Sequence, residues 1–157
     1  YSMSTLTVKA IAAPVGYDLQ MPAGSIVDVT TVQMSASAVI STSTFSDVMS
    51  ATVTPKNASN KFIIQVVLRW QEGTNVHHFK AQIYDKTNSS VVNGGGSYVQ
   101  YNSGSTNVIG VWPFTAITNA TNTTAREYAF QVAAPHDPVT MSHNDYLSTL
   151  IITEVQG

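Results

Sequence analysis

Three features of the sequence predict an all-β fold, an antiparallel β-sandwich or jelly roll whose second buried surface belongs to another sheet or another subunit. The first is the stretch from Lys61 to Gln71. There Phe62, Ile64, Val66, Leu68 and Trp70 recur at every second position and fall on one face of an extended chain. A β-branched run of this kind loses side-chain freedom in a helix and fits a pleated surface. The second is the absence of a helical period over any window of helix length, while short apolar runs are separated by Gly, Pro, Asn and Ser turns about every ten residues. The third is the polar inventory. Charged residues make up 10% of the 157, and 17 Ser with 19 Thr supply polarity instead. A soluble chain ordinarily carries about a quarter charged residues, and hydroxyls at this density suit half-exposed strands and interfaces.

Taken in order, residues 1–20 form a docking arm or a first edge strand, because Leu6, Val8 and Ala10 alternate with Thr5, Thr7 and Lys9 before Pro14 and Gly16 break the run. The sandwich itself is assigned to residues 21–157. Met21-Pro22-Ala23-Gly24 is a turn, with proline presetting φ and glycine free to take positive φ. A strand is expected from Ser25 to Met34, then a small polar stretch from Ser35 to Ser43, then short strands at Thr44–Val48 and Ala51–Thr54, closed by Pro55. Lys56 to Asn60 turns the chain into the central strand. Because Ile63 and Val67 make its second face apolar as well, that strand is expected to be covered on both sides. Beyond the turn at Glu72 to Asn75, Phe79, Ala81 and Ile83 alternate with His78, Lys80, Gln82 and Tyr84 in a strand from Val76 to Asp85 with one wet face. Asn93-Gly94-Gly95-Gly96 reads as the most flexible stretch. Tyr98–Tyr101, Val108–Ile117, Arg126–Ala133 and Leu147–Val155 complete the strands.

Size and charge narrow the function classes. A chain of this length forms one domain that buries about two-thirds of its unfolded surface without cysteine staples. A net charge of -2 with seven scattered cations leaves no footprint for nucleic acid. No run approaches the roughly 18 apolar residues of a membrane-spanning helix. The start at Tyr1 fits processing, or a further N-terminal part.

Candidate chemistry is sparse. His136-Asp137-Pro138 with His143 and Asp145 offers donors for a metal or an active site, yet the same residues describe a proline-fixed polar loop, which is the preferred reading. His77 and His78 are adjacent on a strand and point to opposite faces, so one chain cannot chelate an ion with both. Gly94-Gly95-Gly96 lacks the strand-to-helix context of a phosphate loop, and Glu72, Glu127 and Glu154 stand singly. Asn57, Asn88, Asn119 and Asn122 open Asn-x-Ser/Thr triplets, which a chain this rich in those residues contains by chance. No catalytic residue, metal ligand or cofactor is assigned. Aromatic side chains are the usual platforms for sugars and anchors of interfaces, which makes Tyr84, Tyr98, Tyr101 and Trp112 the candidate receptor-binding set. Partly buried sandwich residues would look the same.

The ordered segments Met21-Pro22-Ala23-Gly24-Ser25-Ile26-Val27, Ser41 to Asp47, Ala51 to Pro55, Asn57 to Ile64 and Ser148 to Val155 together resemble the β-rich domain of tail-fibre and other virion proteins of tailed bacteriophages, marine ones in particular. The resemblance runs from Met21 to the end, with the middle diverged. It implies a trimeric sandwich, similar to the jelly rolls of the tumour-necrosis-factor and complement families, at the surface of a phage particle. Leu147, Leu150 and Ile152 on the last apolar strand are then the expected oligomer seam. Its partners would be sister copies, other virion proteins held through residues 1–20, and a bacterial surface glycan or protein. Three functions follow in order of preference: a non-enzymatic fibre or spike module for host attachment, a capsid-associated decoration or head-fibre protein, and a polysaccharide-degrading appendage.

Overall fold

A computed structural model describes residues 22–72, 77–101, 108–136, 138–142 and 147–157. These form ten strands: β1 (Ile26–Gln33), β2 (Ala38–Ile40), β3 (Ser46–Val53), β4 (Lys61–Glu72), β5 (His77–Asp85), β6 (Ser90–Tyr101), β7 (Val108–Asn119), β8 (Arg126–Ala133), β9 (Val139–Met141) and β10 (Thr149–Val155). No helix occurs among the described residues. Two antiparallel sheets face one another. One carries the order β1-β10-β4 with β7 on the far side of β4, and the other runs β3-β8-β5-β6. Two four-stranded layers in these orders are the double Greek key of a jelly roll. The short β9 pairs with β4 at Trp70 and Gln71, beyond the point where β10 ends, and β2 pairs with β9, so these two extend the first layer to six strands.

The alternation in β4 explains why it sits at the centre. Phe62, Ile64, Val66, Leu68 and Trp70 all point inward and are buried. The two sheets meet through edge-on aromatic pairs, which add about 0.5–1.5 kcal/mol each beyond the area they bury. Phe62 of β4 meets Tyr128 of β8 with ring centroids 5.8 Å apart, and Trp70 of β4 meets Phe79 of β5 at 5.5 Å. Phe114 of β7 reaches Phe130 of β8 at 5.0 Å. Gly110 sits opposite Trp70 in the β4–β7 ladder, and a Cβ there would lie 2.3 Å from the indole, so glycine is what lets Trp70 lie across β7.

Several expectations are corrected. The second face of β4 is not covered by the chain itself: Val67 is exposed and Ile63 only half-buried. Residues 46–53 form one strand, not two, because a single bulge between Asp47 and Met49 absorbs the break in alternation against β8. The glycine-rich stretch lies inside β6. Along the β5–β6 ladder, Ala81 pairs with Ser97 and Ile83 with Asn93, so the glycines take up extra residues on an edge strand, where a bulge costs least. Residues 38–40 and 139–141 were read as irregular and pair as short strands. The arm expected at residues 1–20 lies outside the described residues.

Candidate functional site

The two ends of the sandwich are built differently. At one pole the chain enters β1 and leaves β10. The Gly24 amide donates to the Gln156 carbonyl at 2.8 Å, and the Gln156 amide to the Ser25 carbonyl at 2.9 Å. Beside them Glu154, buried at the inward position of β10, accepts hydrogen bonds from the Lys56 amide at 2.7 Å and from Asn60 Nδ2 at 2.6 Å. The Ala120 amide donates to the Asn60 carbonyl. The segments quoted above for their resemblance are scattered along the sequence, and three of them, those with Gly24 and Ser25, with Asn60 and with Glu154, contribute to this knot. A lone Glu on an otherwise apolar strand was the available signal for it, since an inward carboxylate must find donors.

At the other pole end β4, β6 and β8, and there β5 and β7 begin. His78 of β5 and His136, which follows β8, meet here with their rings tilted at 55° and centroids 4.0 Å apart, bringing together one member of each histidine candidate set. His136 is exposed and His78 half-buried. Asp137, His143 and Asp145 lie outside the described residues, and no group of three or more metal-ligating side chains occurs among the described ones.

The aromatic candidates do not form one platform. Tyr84 is half-buried on the outer face of the four-stranded sheet, where it pairs with Ala129 and Val91. Tyr98 and Tyr101 lie on β6, opposite Lys80 and His77. Trp112 belongs to the other sheet and faces inward, packed on the core with its ring stacked on Phe114 at 5.2 Å. Alternation along β7 buries Phe114 and Ala116 and carries Trp112 with them.

The expected oligomer seam is likewise differently employed. Leu150 and Ile152 are each 1% exposed within the single chain, where the four-stranded sheet covers them. Leu147 is half-buried just before β10. Strict alternation puts Leu150, Ile152 and Glu154 inward, where the chain itself covers them, and leaves Ile151 and Val155 half-buried on the outer face.

The outer faces of the two layers differ sharply in chemistry. On the four-stranded sheet, Lys86 Nζ donates to Asp47 Oδ2 at 2.8 Å and to Glu127 Oε1 at 2.9 Å. Gln131 Nε2 donates to Asp47 Oδ1, and Gln82 Nε2 to Gln131 Oε1, both at 2.7 Å. Burial pushes the Asp47 carboxyl up, but hydrogen bonds from Lys86 and Gln131 outweigh it and hold it below its ordinary value. The hydrogen bond from Lys86 holds Glu127 down as well, and the two carboxylates raise Lys86. On the six-stranded sheet the outward residues include Ile26, Val29, Val67, Ile109, Val111 and Ile117, all exposed.

No protein-family model matches the sequence, and no curated protein matches it. Among solved structures, similarity is found to infectious bursal disease virus. The Gx strain structure aligns at TM-score 0.49 with 11% identity, covering 94% of this chain and 44% of that one. A mutant VP2 protein of the same virus, in derived T=1 particles, aligns at 0.48 with 12% identity, covering 94% and 40%. The chain spans less than half the length of these proteins.

Proposed function

We propose that the chain is a non-enzymatic structural module of a virus particle, a tail-fibre or spike domain of a tailed bacteriophage that stands at the particle surface as a homotrimer and touches the host. The observation that carries this reading is the polarity of the jelly roll. Three of the segments that resemble phage virion domains meet around Glu154 at the pole where β1 starts and β10 ends. The opposite pole, with the ends of β4, β6 and β8 and the starts of β5 and β7, is left for contact. A body anchored at one end and displaying strand ends at the other suits attachment, and three weak sites held together bind by avidity rather than through one deep pocket. Residues 1–20 would dock the module onto other virion proteins, and Tyr98 and Tyr101, on the part of β6 that pairs with the start of β5, would approach a bacterial surface glycan or protein. Tyr84 lies instead next to the end of β5, at the Glu154 pole.

The test is location and competition. Antibody-gold labelling of purified particles is expected to mark the tail appendage, and excess free protein to slow adsorption to host cells. Label confined to the head would make the module a decoration protein of the shell. Release of oligosaccharides from host capsule would overturn the non-enzymatic part of the reading.

A further inference from the structure

The geometry points to the outer face of the six-stranded sheet as the surface on which a second copy of this chain packs. This inference takes its partner from the assembly reading above, but stands on a different surface from the buried seam of β10.

Eight large apolar side chains are exposed among the described residues, and seven of them lie on this one sheet; the eighth, Val91, is on the other. Ile117 is 66% exposed, Val39 64% and Ile26 62%. The ladder registers make the patch continuous. Val29 of β1 lies opposite Thr153 of β10, Thr153 opposite Ile63 of β4, and Ile63 opposite Ile117 of β7, so one rung crosses four strands without a charge. Further along the same face Val67 lies beside Pro113, and Arg69 beside Val111. On β1, β10, β4 and β7 the outward charged positions are Lys61 and Arg69, and no carboxylate shares the face with them.

The face mixes these apolar side chains with Thr, Gln, Lys61 and Arg69 rather than being apolar throughout, and exposed apolar side chains gathered on one sheet face in this way mark interaction sites. At about 4.8 Å between strands and 3.3 Å per residue, the four main strands cover roughly 600 Å² in plan, before side-chain relief is counted. A stable interface takes about 800 Å² from each partner, so the whole face is the right size for one neighbour. It offers no carboxylates for a basic partner and no basic cluster for an acidic one. What fits is a flat, nearly uncharged surface rich in Val, Ile and Thr, and every other copy of this chain presents that surface. The four-stranded sheet, with its Lys86 network, would then stay in water.

The experiment is the native mass of the whole chain at micromolar concentration, by light scattering, for wild type, Val111→Lys, Ile117→Lys and a control, Val91→Lys. The wild type and the control are expected to be oligomers of the same mass, while the two sheet-face variants associate at least tenfold more weakly with unchanged circular dichroism. Because the chain has no cysteine, Ile117→Cys and Val91→Cys give a second readout that needs no disruptive charge. Alkylation at 117 should slow as protein concentration rises, and alkylation at 91 should not. A monomeric wild type, or charge variants and a 117 thiol that behave like the controls, would overturn the inference. A monomer found in purified particles would leave the virion reading standing, and an oligomer absent from particles would leave this one. The same face meeting itself is a twofold contact, so a dimeric mass would keep the interface and remove the homotrimer, whereas a trimeric mass requires different parts of the face to meet two neighbours.

Discussion

The two layers of the sandwich bury their inner faces alike and dress their outer faces in opposite ways. On the four-stranded sheet the outward side chains satisfy one another, with Lys86 held between Asp47 and Glu127 and Gln131 joining them to Gln82. On the six-stranded sheet the outward positions are mainly Val, Ile and Thr, with Lys61 and Arg69 the charges among them. A polar face that closes its own hydrogen bonds gains little from a partner, whereas an apolar face loses free energy for every square ångström left in water. The asymmetry is what singles out one layer for the proposed assembly, although the periodicity of the strands is the same on both.

The sharpest way to break this comparison is to charge the space between the layers. Ile152→Asp places an unpaired carboxylate where the single chain already excludes water, so it should unfold the protein, at a cost of roughly 3–5 kcal/mol. Denaturant melts and native mass together check this. Folded subunits released intact would return β10 to the oligomer seam. Next in size is Gly110→Ala, which drives a Cβ into the Trp70 indole and displaces it from Phe79. A loss of roughly 1–3 kcal/mol is expected, read as a lowered melting temperature.

Smaller still is Lys86→Ala, which tests the polar face. Asp47 and Glu127 are held below their ordinary values of 3.8 and 4.5, so their contribution exists above that range and is lost as pH falls through the depressed values. Lys86 is raised above its ordinary 10.5, so its contribution exists below that value and is lost as pH rises past the raised one. The wild type should exceed the variant in stability across neutral pH, and the gap should close in acid, without any change in native mass. Smallest is Tyr128→Phe. The Tyr128 hydroxyl is the one buried side-chain polar atom among the described residues without a hydrogen-bond partner, so its removal should change stability by no more than about 0.5 kcal/mol. A large loss in thermal melts would reveal a partner.

Much of the fold was legible because alternation is a local property. The five inward residues of β4 and the inward Phe79, Ala81 and Ile83 of β5 follow from spacing alone. The other face of β5 is not the wet one expected, since Gln82 is buried and Lys80 and Tyr84 are half-buried. What failed was non-local. The glycines of β6 look mobile until β5 supplies a ladder, and β2 and β9, at three residues each, are strands only because β9 pairs with the end of β4 and β2 pairs with β9. The candidate site was less legible. Trp112 was singled out for its ring, while the alternation that turns it inward with Phe114 went unused. Leu150 and Ile152 were assigned to a partner because hydrophobicity states that a side chain is covered, not by which sheet. The apolar outer face was visible in Ile63 and Val67, but only the register shows Val29 and Ile117 joining them across four strands.

The bonds that tie Gly24 and Ser25 to Gln156 also set how the domain carries load. β1 and β10 are antiparallel neighbours whose outer ends meet at one pole, with Ile26 opposite Val155. Tension applied between Pro22 and Gly157 would peel this ladder like a zipper, one rung at a time, instead of shearing all its rungs together. A body hung by a single end escapes that weakness, because drag on it never pulls the two strands apart.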